Sequence, residues 1–225
     1  MSLLACALCA AVAAVGTVTV DPGHNGGNAA HPEAINRLVP AGGFRKACDT
    51  VGAQTSDGRL TEHAFTWDVA RRLQAALAAR GATVRLTRPD DTGVGPCVDR
   101  RAALGAGSDV AISLHADGGP PSGRGFHVIR ATRANAAHPA TVRPSLRLAR
   151  LVRARLDAIG LPRSSYAGRA GLDARADLGG LNLSPVPKVL VELGNLRNAA
   201  DARALKRPGH RAAIARALAR ALAAF

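Results

Sequence analysis

Residues 61–86 read TEHAFTWDVARRLQAALAARGATVRL, and their pattern decides the fold class. The first twenty form an amphipathic helix that stops at Gly81, with Thr61 at its N-cap position. Thr83–Leu86 follows at once as a β-branched strand. A helix delivered directly into a strand is the unit of an α/β layer fold.

The same alternation extends in both directions. Upstream, Thr17–Val20 is a strand that runs into the turn Asp21-Pro22-Gly23. Downstream come a polar loop, a helix over Val98–Leu104, and strands at Val110–Leu114 and Gly125–Ile129. A helix over residues 144–159 carries Pro144 in its first turn. Val189–Val191 is the last central strand, and an Ala/Arg/Leu helix over residues 209–224 closes the chain. Residues 163–185 read as loop. Gly26 to Gly58 shows no periodicity and reads as a long functional loop, with a hairpin over the site as one form it could take. The expectation is one domain over residues 17–225: a central, mostly parallel, mixed sheet of about six strands flanked by helices.

The chain of 225 residues is long enough to bury a core without staples. Its net charge is +14, and arginine supplies most of the cations, since Lys46, Lys188 and Lys206 are the only lysines. Such a balance favours polyanionic surroundings, nucleic acid or an anionic envelope, but arginines dispersed along helices such as RRLQAALAAR are equally what a compositional bias leaves. With 3% aromatics there is little for base stacking, so a nucleic-acid partner is not expected. Leu3–Gly16 is an apolar run of signal-peptide length, too short to span a bilayer. Residues 1–16 are therefore read as an export segment, with no stable membrane insertion after processing. Leu3-Leu4-Ala5-Cys6 resembles a lipid-attachment box only faintly. Cys6 and Cys9 fall in that segment. Cys48 in FRKACDTVG and Cys97 in GVGPCVDR would suit a disulfide in an oxidising compartment; they lack the close spacing of a cysteine metal site.

Four distant segments place a metal ligand or a carboxylate at the edge of an apolar run: VTVDPGHNGG with His24, TEHAFTW with Glu62, AISLHADGG with His115 and KVLVELGN with Glu192. Two imidazoles and one carboxylate make an open catalytic Zn2+ site, and a further carboxylate beside its water is the proton carrier of a hydrolase. His24, His115 and Glu192 each end a strand, and open α/β sheets build their sites at that edge. Glu62 begins a helix, where a carboxylate also gains from the dipole. Each residue alone has an ordinary explanation: a turn histidine on the surface, a hydrogen-bonded core histidine, an acidic helix start. Glu192 is the strongest, because a carboxylate ending an apolar strand is costly to bury unpartnered. Other chemistries lack their marks. There is no HExxH, no P-loop GK[ST], and no GxSxG around Ser113 or Ser184. Among the remaining histidines, His63 and His127 are near-site bystanders, while His31, His138 and His210 lie elsewhere.

DPGHNGG, the Glu62 helix, LTRPDD, SLHADG and VLVELGNLRN, in that order, resemble the zinc-dependent N-acetylmuramoyl-L-alanine amidases of the amidase-3 family, over residues 17–225. GPCVDRR, SGRGFHV and DLGGLNL are similar to its single-domain mycobacterial type. The resemblance implies a phosphorylase/hydrolase-like fold, zinc on His24, Glu62 and His115, Glu192 as the catalytic carboxylate, and a Cys48–Cys97 disulfide. It also implies peptidoglycan or muropeptide as substrate, cut between N-acetylmuramic acid and L-alanine by an exported enzyme of periplasm, wall or extracellular space; a monomer is expected. One departure is Asn195, where many members carry an aromatic. Two rivals are weighed. A zinc carboxypeptidase usually opens its ligand set with His-x-x-Glu, whereas His24 is followed by Asn25-Gly26-Gly27. An inactive wall-binding regulator would have lost a ligand or the carboxylate, and all four are present.

Overall fold

The computed structural model describes residues 16–225; the segment read as an export signal, with Cys6 and Cys9, lies outside them but for Gly16. Strand β1 (Thr17–Pro22) leads through the short helix α1 (Pro32–Asn36) to a hairpin of β2 (Leu38–Pro40) and β3 (Arg45–Ala47). Helix α2 (Glu62–Ala78), β4 (Thr83–Leu86), α3 (Val98–Ala103), β5 (Val110–Asp117) and β6 (His127–Ala131) follow. The chain is completed by α4 (Val142–Asp157), β7 (Leu172–Arg175), α5 (Gly179–Asn182), β8 (Lys188–Asn195), α6 (Ala199–Leu205) and α7 (Pro208–Ala223).

The main sheet has six strands in the order β4-β1-β5-β8-β6-β7. The first four run parallel, β6 is antiparallel to β8, and β7 is parallel to β6. This is the mixed, mostly parallel sheet expected from the alternating pattern.

Side chains alternate across a strand, and here the two faces differ in chemistry. Val18 and Val20 of β1, Val110, Ile112 and Leu114 of β5, and Val189 and Val191 of β8 all enter the main core. Onto that face pack α2, α4 and α7. Phe65, Val69, Leu73 and Leu77 of α2, spaced by four, form one buried stripe. The intervening residues Asp21, Ser113, His115, Lys188 and Glu192 point to the opposite face, where α3, α5 and the hairpin form a thinner cover. Its apolar share is small: Ile129, Ala131, Leu181 and Leu190, with Leu178 beside them.

Several boundaries depart from the pattern. Strands β5 and β8 are longer than their apolar runs, because their polar outer residues still pair in the ladder. Gly26–Gly58 does hold the β2–β3 hairpin, and also α1, which is too short for a periodic signal. The stretch 163–185 carries β7 and α5, and α6 follows β8; all three are held by tertiary contacts and not by an amphipathic repeat. Thr61 occupies the N-cap of α2 with extended backbone, but its side chain caps nothing.

Cys48 and Cys97 form a disulfide between the end of the hairpin and the start of α3. Both are buried against Val39. Cross-linking residues 49 apart removes roughly 4 kcal/mol of loop entropy from the unfolded chain. The double variant Cys48→Ser, Cys97→Ser should lower unfolding stability by up to about that amount. Equal denaturant midpoints for variant and parent would show that the crosslink contributes nothing.

Candidate active site

The polar face of the sheet and its C-terminal edge open into a cleft of about 420 Å³. Its floor is an ionic cluster on Asp21, whose carboxylate is almost fully buried. Oδ2 accepts from Ser113 Oγ and Lys188 Nζ, both at 2.9 Å. Oδ1 accepts from Thr87 Oγ1 at 2.7 Å and Arg101 Nη1 at 3.0 Å. Four donors satisfy one carboxylate, which is the condition for burying it. Burial works to raise the Asp21 pKa, but Lys188 and Arg101 outweigh it and hold the carboxyl well below the usual value.

Arg101 extends this floor to the strand end. Its Nη1 also donates to Pro22 O at 2.8 Å, and Nη2 donates to His24 O at 2.9 Å and Asp49 Oδ2 at 3.2 Å. Asp49 in turn faces His24: its Oδ1 lies 3.0 Å from Nδ1. With Nδ1 held by that carboxylate, Nε2 is the nitrogen left to face Glu62. The residue itself has φ of 60°, a left-handed conformation that non-glycine residues seldom adopt. It turns the ring out of the strand and back over the cleft. Gly23 before it must lack a side chain, because a Cβ there would lie 2.3 Å from the His115 ring.

Three donors then converge. Glu62, the first residue of α2, is 4% exposed and anchored by Ala53 N–H donating to Oε2 at 2.7 Å. Its Oε1 lies 2.8 Å from His115 Nδ1 and 3.3 Å from His24 Nε2. The imidazoles meet edge to face with centroids 5.0 Å apart. One ligand atom from each of the three residues lies within 4.8 Å of the others. Burial works to lower the His24 pKa, yet the Glu62 and Asp49 carboxylates prevail and hold it up to about 10. Burial would raise Glu62, yet His24 and His115 hold it well below the usual range. The cluster therefore has the charge pattern of a cation site with a proton standing in for the cation.

Glu192 completes the arrangement. It is the register partner of His115 on the neighbouring parallel strand and of His127 on the antiparallel one. Its Oε2 is buried and has no hydrogen-bond partner among the described residues. Burial and the nearby Glu62 and Asp117 charges raise its pKa well above the usual value. An unpartnered carboxylate opposite a cluster of ligand atoms is what metal-assisted hydrolysis needs.

Comparison with known proteins agrees with this chemistry. Residues 18–224 match the Amidase_3 family, N-acetylmuramoyl-L-alanine amidase. The chain belongs to that family of amidases. It is 46% identical over 212 residues to the N-acetylmuramoyl-L-alanine amidase Rv3717 of Mycobacterium tuberculosis, covering 92% of this chain and 85% of that protein. It is also similar to the crystal structure of the amidase Ami1 from Mycobacterium smegmatis, with 43% identity, TM-score 0.86, and coverage of 92% and 95%. The CwlD amidase of Clostridioides difficile, at 17% identity and TM-score 0.69, shares the fold.

The structure brings His24, Glu62, His115 and Glu192 of this amidase chain together as their segments suggested. His63 instead pairs with Asp91 at 2.8 Å and lines a neighbouring groove. His127 is buried beside Glu192, with Nδ1 unpartnered among the described residues. Asn195 points inward and donates to Pro120 O and Gly123 O, both at 2.8 Å, so at the position of the missing aromatic it acts as a loop tie. Asp49, Arg101 and Lys188 had no sequence signal of a site role. The nearest hint is that Asp49 and Arg101 flank the two paired cysteines.

Asp21→Asn keeps volume but removes the charge opposite two buried cations, and should cost about 3–5 kcal/mol of stability. Because the folded pKa of Asp21 is depressed, its contribution is present above the unfolded value near 3.8 and is lost as pH falls through the lower folded value. Acid titration of unfolding should therefore show a shallower stability loss in the variant. Parallel curves for the two proteins would contradict the assignment.

Proposed function

We propose that this amidase acts as a zinc hydrolase, with the metal held by His24 Nε2, Glu62 Oε1 and His115 Nδ1 and with Glu192 as the proton carrier. The convergence of those three ligand atoms beside the unpartnered Glu192 Oε2 carries the reading. The donor set fits zinc: two neutral imidazoles and a carboxylate leave a fourth position open. Two of the ligands are also oriented from behind, His24 by Asp49 and Glu62 by the Ala53 and Ala116 amides.

When bound, zinc polarises the scissile carbonyl and lowers the pKa of water from about 15.7 towards roughly 7. The remaining work falls to the protein. Glu192 accepts the proton of the attacking water on Oε2. It then delivers that proton to the departing nitrogen of L-alanine, so one group serves as base and then acid. Asp49 keeps the His24 proton on Nδ1 throughout. The Asp21 floor keeps the strand ends from shifting as charge moves above them.

The substrate of this reading is peptidoglycan or a muropeptide, cut at the amide joining the muramoyl lactyl group to L-alanine. A buried disulfide supports an oxidising, extracytoplasmic location, with residues 1–16 as the export segment and a monomer as the working form. Among the described residues no helix is long and apolar enough to cross a membrane. Mass spectrometry of muropeptides after incubation with the zinc-loaded protein tests the bond: release of free stem peptide beginning with L-alanine is expected. Intact stems, or cleavage within the peptide, would overturn it.

Glu192→Gln should lower turnover by at least about 10²–10⁴-fold while retaining zinc and fold, since the amide cannot accept the water's proton. Glu62→Gln should instead lose zinc. Metal analysis of the two purified variants separates the roles before any assay, and the reverse pattern would exchange them.

A further inference from the structure

The two arms of the substrate differ in charge near the scissile amide. The muramoyl side has hydroxyl and N-acetyl groups but no free carboxylate, since its lactyl carboxyl forms the bond that is cut. On the peptide side, L-alanine is followed by a glutamate joined through its γ-carboxyl. That residue's α-carboxyl is either free or amidated. The first group that can be anionic therefore lies one residue beyond the cut.

Five cations line the cleft, and three are held in ion pairs. Arg101 and Lys188 pair with Asp21, and Arg101 also with Asp49. Arg175 pairs with Asp177, and Lys46 donates to the Asp177 carbonyl at 3.2 Å. Lys46 and Arg197 form no ion pair among the described residues; Lys46 is half-buried with its ammonium on that carbonyl, whereas Arg197 is exposed with its guanidinium on no acceptor there.

Its backbone is fixed although its guanidinium is free. Arg197 N–H donates to Asn195 Oδ1 at 3.0 Å, and the preceding Leu196 N–H donates to Asp117 O at 2.8 Å. The side chain lies over Gly118, where a Cβ would be 3.5 Å from Nε and 2.9 Å from the Ala53 Cβ. Next to Ala53, a Cβ on Gly52 would be 2.8 Å from His24 and 3.0 Å from Glu62 Oε2. The guanidinium thus stands one short residue pair away from the ligand cluster. It also borders a second groove of about 350 Å³ that runs past Asn25, Gln54 and His63. Asp117, which lines the same cleft, already accepts from Tyr166 Oη at 2.9 Å.

We propose that Arg197 is a specificity residue that binds the α-carboxylate of the γ-linked glutamate, so that the enzyme prefers a stem with a free acid over one with a carboxamide there. This rests on the amidase reading above. A planar guanidinium suits a carboxylate by a two-pronged contact, whereas a carboxamide offers one acceptor and a donor that the guanidinium repels.

The test compares N-acetylmuramoyl-L-alanyl-D-isoglutamate with the D-isoglutamine analogue, using parent enzyme and Arg197→Gln. The parent should favour the acid by roughly fivefold to tenfold in kcat/KM, mainly through KM, as for a charge-assisted contact at a partly exposed site. In Arg197→Gln that ratio should fall to about one, and Arg197→Lys should restore part of it. A parallel titration of L-alanyl-D-isoglutamate and L-alanyl-D-isoglutamine, followed by calorimetry, reads the same preference without turnover. No preference in the parent, or one that survives Arg197→Gln, overturns the proposal. Neither substrate cleaved, with the dipeptide preference intact and dependent on Arg197, upholds it and overturns the amidase reading instead.

Discussion

The arrangement depends on one buried guanidinium. Arg101 joins the floor carboxylate Asp21, the carbonyls of Pro22 and His24, and Asp49 behind the His24 ring. It thereby ties the end of β1, the loop after the hairpin and the start of α3 to a single point. A buried cation with this many oxygen partners is costly to disturb, because any released partner is left desolvated and unpaired. The strained backbone at His24 persists because that clasp over-determines it.

The disulfide acts on the same place. Cys48 precedes Asp49, and Cys97 stands one turn before Arg101 in the chain, so the crosslink brackets both ends of the Asp49–Arg101 pair. Covalent and ionic restraints act together on the loop that orients His24. Glu62, on the opposite side of the cluster, is held differently, by two backbone amides from Ala53 and Ala116. The two sides of the cluster thus draw rigidity from independent parts of the fold, which suits a site that must keep its geometry as protons move.

Division of labour between the sheet faces explains why such a polar site is tolerated. One face of β1, β5 and β8 is wholly apolar and carries α2, α4 and α7, so most of the hydrophobic stabilisation is collected there. The other face is then free to hold Asp21, Ser113, His115, Lys188 and Glu192 at the cost of only a thin apolar cover. The charges on that face are matched within the cluster, and Glu192 is left as the unmatched group. Its raised pKa follows from that isolation.

The sequence by itself determined the α/β class and the strand-end histidines and glutamate, and its family resemblance pointed to the pairing of Cys48 with Cys97. Those signals are local: a helix of five turns run into a strand, histidines and a glutamate at the ends of apolar runs, and motifs that resemble one family. It also held the two-faced strands, since Ser113, His115 and Asp117 alternate with Ile112, Leu114 and Ala116. Tertiary structure alone decided the contacts of Asp49, Arg101 and Lys188, and the presence of α1, β7, α5 and α6. An arginine on a short helix and a lysine at a strand start look the same whether they face water or a buried carboxylate. What separates them is the partner, which lies 52 residues away for Arg101 and Asp49 and 167 away for Lys188 and Asp21. Short elements without an amphipathic repeat have no signal of their own, because the contacts that stabilise them come from segments remote in the chain.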